Sequence, residues 1–328
     1  MTLRMTRRSA LACAVALTAL PTAAAAEDAW PAAPLHVYVG FPAGSSPDTL
    51  TRIVTEPLAQ RLGQPVVVEN KPGAGGVIGI QQMLANAGDG LSFATTINGP
   101  LTTAARLMKS TGYDVATDIA PVTLIATSPL VLAVSAGSDF TDVESFVAAA
   151  GTEPEFLSYG SVGQGSGAHL TAELFADAAG VSLLHIPFTS YAEVTTSIVG
   201  GEIDAGFMAP SAALPQVEAG RMRMLGITSA KPFPQAPDVP VLAGRAGLSD
   251  DFRAELWNAF IAPAGTDPAI IARLNTEIGA ILADPEVQQK LLAIGWQAAP
   301  GTPGDLADRI AADTAMWGAV IDRVAAKP

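Results

Sequence analysis

The sequence predicts an α/β fold, and three observations carry that expectation. Short apolar runs such as 35–39 and 66–69 alternate with stretches whose apolar residues recur at helical spacing, the pattern of strands interleaved with helices. Glycine- and proline-rich turns such as 41–47 and 72–76 separate them, as expected where strands feed into helices. The 328 residues, 49% hydrophobic, suffice for a large core divided between two domains.

The elements follow in order. Residues 35–39 read as a strand and 47–62 as a helix with Leu50, Ile53, Val54, Leu58 and Leu62 on one face. A strand at 66–69, a helix at 76–86 and a strand at 91–95 after the Asp89-Gly90 turn come next. Strands at 130–134, 156–159 and 183–186 then alternate with helices at 142–150 and 167–179, so the rhythm is βα from end to end. Thr141 to Glu144 fits a capping box, and Thr302-Pro303-Gly304-Asp305 is a similar start with proline at the first helical position. No repeat or long linker follows residue 30, which implies a chain crossing between its two domains more than once.

The N-terminus stands apart. Arg4, Arg7 and Arg8 precede an apolar run at 10–20 and the small residues Ala24, Ala25 and Ala26, the layout of an export signal at 1–26 cleaved after Ala26. The run is shorter than the ~20 residues that span a bilayer. Arg7-Arg8 hints at a twin-arginine route, with Ala10 where a bulky residue belongs. The single cysteine, Cys13, lies inside the signal after Ala10-Leu11-Ala12, a poor lipoprotein site. The mature chain then has no thiol, which excludes disulfides and Cys-ligated zinc. Losing three arginines takes the formal charge from -13 to -16. Nucleic acid is excluded as a partner, because binding it requires a basic surface.

Ligands of open α/β sheets bind beyond the C-terminal ends of the strands. Three loops there stand out: Phe41 to Asp48, Asn70 to Gly76, and Gly160 to Ala168 within YGSVGQGSGAHL. The first and third are small-residue loops feeding helix N-termini, where unsatisfied N–H groups and the helix dipole favour an anion. Neither carries Lys or Arg, which suits a carboxylate better than a polyphosphate. Micromolar affinity corresponds to ~8 kcal/mol, and hydrogen bonds to a charged group contribute ~1.5–3 kcal/mol each, so four or five neutral donors are adequate.

Catalytic motifs fail on spacing. Ser166 stands where a P-loop needs lysine, neither Ser161 nor Ser166 has the two glycines of a nucleophile elbow, and Ile78 occupies the third glycine position of a dinucleotide fingerprint. The three histidines, His36, His169 and His185, have no metal-binding spacing. No cofactor and no metal are expected. His36 reads as structural, His185 as either structural or ligand-side, and His169 as either packing or facing a ligand. Asp48 either complements the dipole of the first helix or contacts a ligand donor or water. Asp204 is either a turn residue or a polar group near the cleft.

Together these motifs resemble those of the solute-binding proteins of tripartite tricarboxylate transporters, the TctC or Bug-type receptors. The shared pattern is FPxG…D at Phe41 to Asp48, LGQPVVVEN-K-PGAGG at Leu62 to Gly76, YGSxGxGSxxHL at Tyr159 to Leu170, HIPF at His185 to Phe188, GGEID at Gly200 to Asp204 and APAGT at Ala262 to Thr266. The resemblance implies a two-domain, Venus-flytrap periplasmic-binding-protein fold and a receptor rather than an enzyme. Such a receptor captures a small organic carboxylate between its domains and delivers it to membrane permease subunits. On this sequence the implied contacts are Ala43, Gly44, Ser45 and Ser46 with Asp48 on one side, and Ser161, Gly165, Ser166, Ala168 and His169 on the other.

Two departures from the pattern bear on specificity. Ala43-Gly44-Ser45 replaces the family's PGG, and Thr189-Ser190-Tyr191 replaces a Lys-Gly-Gly-like turn. Tyr191 therefore either narrows the pocket in favour of a monocarboxylate or aromatic acid, or packs within its domain. The expected domains are 30–128 plus 252–328 and 129–251, in a monomer, with Asp48 and Asp204 organising loops or waters. Two other readings stay open: a secreted hydrolase, and a periplasmic ligand sensor that engages a membrane sensor instead of a permease.

Overall fold

The structure, a computed structural model, describes residues 30–326; the export signal predicted at 1–26 lies outside them. The strands are β1 (Leu35–Val39), β2 (Val66–Asn70), β3 (Ser92–Ile97), β4 (Ile119–Pro129), β5 (Val131–Ser135), β6 (Ser158–Ser161), β7 (Leu184–Pro187), β8 (Ala205–Met208), β9 (Met222–Ile227), β10 (Glu255–Pro263) and β11 (Gln297–Ala298). The helices are α1 (Ser46–Leu62), α2 (Val77–Ala85), α3 (Asn98–Thr102), α4 (Ala104–Leu107), α5 (Val115–Asp118), α6 (Val143–Ala150), α7 (Gly167–Ala178), α8 (Tyr191–Gly200), α9 (Pro210–Glu218), α10 (Pro268–Leu282), α11 (Pro285–Ala293) and α12 (Pro303–Ala326). A six-stranded sheet has the order β11-β4-β10-β3-β1-β2, and a five-stranded sheet β7-β6-β8-β5-β9.

Each sheet is covered on both faces. Leu35, Val37 and Val39 are fully buried, as are Leu50, Val54 and Leu58 of α1. Leu35, Val37 and the α1 residues share a cluster with Phe93 and Phe260, the i, i+4 spacing of the helix meeting the two-residue period of the strand. Tyr38, between them in β1, packs on the opposite face with Ile80 and Met83 of α2. Gly40 and Gly79 allow that face to close: a Cβ on Gly79 would lie 2.5 Å from Gly40 N, and one on Gly40 would collide with Gly76 O. Gly76 and Gly79 therefore serve backbone-to-backbone packing against Gly40.

The end-to-end βα rhythm needs correction. β1, β2 and β3 are parallel, but β10 runs antiparallel to both β3 and β4, and β5 is antiparallel to both β8 and β9. The reason is the connection: β4 passes into β5 with only Leu130 between, and β9 returns to β10, so the crossing strands oppose the βα units. Capping shifts by one residue at α6, where Asp142 pairs with Ser145. At α12 it holds as read, with Thr302 N–H donating to Asp305 Oδ2 at 2.7 Å and Asp305 N–H to Thr302 Oγ at 3.1 Å.

The two crossings meet at Thr228, which is fully buried. Leu130 N–H donates to Thr228 Oγ at 2.9 Å, and that hydroxyl donates to Ala254 O at 2.5 Å. Backbone bonds Thr228 N to Leu130 O (2.9 Å) and Ala254 N to Thr228 O (3.1 Å) complete the tie. Beyond it, α7 packs on α12 through Leu170, Trp317 and Val320 beside Ala254, with an exposed Arg323–Asp177 pair at 2.8 Å. On another side Gln235 Nε2 donates to Leu292 O. Thr228→Val keeps the shape but orphans Leu130 N–H and Ala254 C=O; it is expected to cost about 1–3 kcal/mol, read from the urea midpoint at unchanged m-value.

Candidate functional site

The loop from β1 to α1 is braced from within. Asp48 is buried, 3% exposed, and accepts from Gly44 N–H at 2.8 Å, Asn70 Nδ2 at 2.8 Å and Arg52 Nε at 3.1 Å. Asn70 Nδ2 also donates to Phe41 O at 3.0 Å, and Arg52 donates to Asn70 Oδ1 at 3.1 Å. Burial pushes the Asp48 carboxyl up, but the hydrogen bonds from Arg52, Gly44 and Asn70 outweigh it and hold it below its ordinary value. Ser45 donates twice to Pro42 O, through Oγ at 2.6 Å and N–H at 3.2 Å. Ser46 Oγ accepts from Trp296 Nε1 at 2.8 Å. Gly44 takes φ +78°, and Ala43, Gly44 and Ser46 are exposed. The N–H groups of Gly44 and Ser45, expected as ligand donors, are thus committed to the loop.

The loop from β6 to α7 stands on a buried polar stack. Ser161 Oγ lies 2.7 Å from His185 Nε2 and accepts from Gly163 N–H at 3.2 Å. Tyr159 stacks on His185 with ring centroids 5.0 Å apart, and His169 lies on His185 at 4.2 Å. Gly165 N–H donates to His169 Nδ1 at 3.1 Å, which places the neutral imidazole proton on Nε2. Tyr159 donates to Glu173 Oε1 at 2.9 Å, and burial, reinforced by the Glu173 charge, raises its phenol. Ser166 caps α7 by accepting from His169 N–H at 3.2 Å. Ser161 has no exposed surface, so its bond to His185 supports the loop. The donors left in the first turn are the N–H groups of Gly167 and Ala168, which no intrahelical carbonyl can reach, and the Ser166 hydroxyl.

Between the two sheets lies a cavity of about 220 Å³ lined by Asn98, Thr103, Gly165, Ser166, Glu255 and Trp317, with Gly99, Gly167 and Leu256 among its other walls. A larger apolar cavity of about 640 Å³ lies between the α3–α5 segment and α12, and includes none of the predicted site residues. Of those, only Gly165 and Ser166 line the smaller cavity. Tyr191 opens α8 and packs against clusters on both faces of the second sheet, where burial pushes its phenol up to about 12. Asp204 accepts from Ser158 N–H and Oγ, both at 2.8 Å. That bond is at the opposite end of the β6–β8 pair from the 162–166 loop, so Asp204 organises a strand start away from the cavity.

Sequence reasoning missed Asn98, Glu255 and Trp317. Asn98-Gly99-Pro100 directly after a strand was the available signal for the first; the other two sit in β10 and α12 with no local mark. Among the described residues no group of three or more His, Cys, Asp or Glu could hold a metal, and no helix is long and apolar enough to cross a membrane. Asp48→Asn is expected to destabilise the protein at neutral pH by about 1–3 kcal/mol. Because the folded carboxyl lies below its unfolded value, this difference from wild type should persist above about pH 4 and close as pH falls through the folded value, measured by urea midpoints across pH.

The chain matches the model of the family described as tripartite tricarboxylate transporter family receptor over residues 50–325. A relative from Pseudomonas sp. (strain P51), the UPF0065 protein in the tcbD-tcbE intergenic region, is 35% identical over 311 residues, 95% of this chain and 92% of its own. Among solved structures, Rpa4515 of R. palustris with adipate is 31% identical, with a TM-score of 0.71 over 89% of this chain and 97% of that one. A TctC solute binding protein from Polaromonas, with no ligand, is 26% identical, with a TM-score of 0.80 over 90% and 99%. The two helix-flanked sheets are thus the periplasmic-binding-protein fold expected from the sequence, and the chain belongs to the tripartite tricarboxylate transporter receptor family.

Proposed function

We propose that the chain works as a monomeric periplasmic receptor, exported and cleaved after Ala26, whose domains 30–128 plus 252–328 and 129–251 close on a small carboxylate and deliver it to the membrane permease of a tripartite tricarboxylate-type transporter. Proteins of this family are solute-binding receptors and not enzymes. The observation that carries the reading is the N-terminus of the twelve-residue α7, which opens with Gly165 and Ser166 onto the cavity between the sheets. Among the described residues no Lys or Arg lines that cavity. The anion would be held by the N–H groups of Gly167 and Ala168, the Ser166 hydroxyl and the helix dipole. Charge-assisted bonds of ~1.5–3 kcal/mol each bring three or four donors close to the ~8 kcal/mol of micromolar binding. The adipate in Rpa4515 supports a carboxylate as the ligand class.

α7 lies against β10, and Gly167 sets how close they come: a Cβ there would lie 2.7 Å from Leu256 Cδ2. Residues 27–328 should gain ~2.7 kcal/mol of stability at 100 times the dissociation constant of a bound acid, a clear rise in Tm in a screen of mono-, di- and tricarboxylates. Uncharged amides of the same acids should give none. A screen in which no acid raises Tm of ligand-free protein would overturn the reading. Gly167→Val, whose side chain would displace Leu256 from the cavity wall, should weaken binding about tenfold, ~1.4 kcal/mol, measured by titration of the folded variant.

A further inference from the structure

We propose that the cavity between the sheets selects an ω-amino acid over a dicarboxylate of the same length, with Glu255 binding the ammonium group. This rests on the reading that the α7 N-terminus takes a carboxylate. The cavity has two electrostatically opposite ends. One is that helix N-terminus, capped by Ser166. The other is Glu255, the only ionisable side chain among the described residues that form the cavity walls.

Glu255 has only a shared countercharge where it stands. Its partner Arg309 approaches Glu255 Oε2 at 3.3 Å but Asp313 Oδ1 at 2.9 Å. The Arg309, Glu255 and Asp313 side chains are 10%, 12% and 4% exposed, respectively. Two carboxylates thus share one guanidinium. The closer contact belongs to Asp313, which also accepts from Trp257 Nε1 at 2.6 Å. One formal negative charge is left over, and the weaker bond leaves it on the Glu255 side, at the cavity wall. Little water separates groups in so small a space, so a second ligand carboxylate would face that charge with little screening. An ammonium would be drawn to it and would supply three donors.

The two ends, helix N-terminus and Glu255, fit a molecule with an anion and a cation a few carbons apart. The cavity of about 220 Å³ limits it to a short chain.

The test is isothermal titration calorimetry of residues 27–328 with two matched pairs, 4-aminobutanoate against succinate and 6-aminohexanoate against adipate. The amino acid of at least one pair should bind ten- to a hundredfold tighter than its dicarboxylate. Glu255→Gln, which keeps size and an acceptor for Arg309, should abolish that preference. Asp313→Asn should reduce it from outside the cavity by releasing Arg309 to Glu255, a readout that survives if the first variant folds poorly. Tighter binding of the dicarboxylates by wild type would overturn the selectivity while leaving a carboxylate receptor in place. A preference undiminished in both Glu255→Gln and Asp313→Asn would remove Glu255 from the role. No binding by any of the four acids, with no Tm rise from the wider screen, would overturn the carboxylate reading together with this one.

Discussion

The arrangement of this protein depends on one buried hydroxyl. Thr228 joins the only two places where strands pass between the sheets among the described residues, accepting from Leu130 N–H and donating to Ala254 O. Both partners are backbone groups, so the tie fixes chain path and leaves side chains out of it. Every loop that could meet across the cavity hangs from this junction. β3 ends and β10 begins on one side of it, and β6 leads into α7 on the other. Buried backbone groups must find partners, and a β-branched hydroxyl satisfies two with little rotamer freedom to lose.

The two glycine- and serine-rich loops turn out to be different devices. In the β1–α1 loop the polar groups spend themselves on one another: Asp48 collects Gly44, Asn70 and Arg52, while Ser45 folds back on Pro42. Its small residues shape a rigid turn. In the β6–α7 loop the support comes from below, through the stack of Tyr159, His185 and His169 and the Ser161–His185 bond. That leaves the first turn of α7 itself for a ligand. A scaffold whose own hydrogen bonds are satisfied beneath the site holds its donors in place with little left to reorganise on binding.

Charge follows the same division. The chain is strongly acidic, yet the anion-attracting end of the cavity uses no cationic side chain, only helix dipole and neutral donors. The nearest guanidinium in the hydrogen-bond network, Arg309, stands behind Glu255 and is held mainly by Asp313. A ligand in such a cavity would be discriminated by the distribution of charge along it. A cationic pocket would reward total negative charge instead.

By itself the sequence determined the fold class, the family and the local devices. The apolar periods of α1 and β1, the αL glycine after α1, the proline start of α12 and the cap of α7 are set by residues within a few positions of each other. Tertiary structure alone decided the rest. The antiparallel placement of β4 and β10 depends on where the chain crosses, and Pro121 and the threonines of 119–129 obscure the strand period there. Asp204 reads from its motif as either a turn residue or a polar group near the cleft, and only its pairing with Ser158 at the start of β6 decides for the strand start. Ser161 meets His185, 24 positions away, and Gly167 meets Leu256 and shares a cavity with Trp317, because two sheets and a C-terminal helix pack together. Periodicity and capping act over a turn or two of chain, whereas these contacts depend on packing between distant segments that no local pattern records.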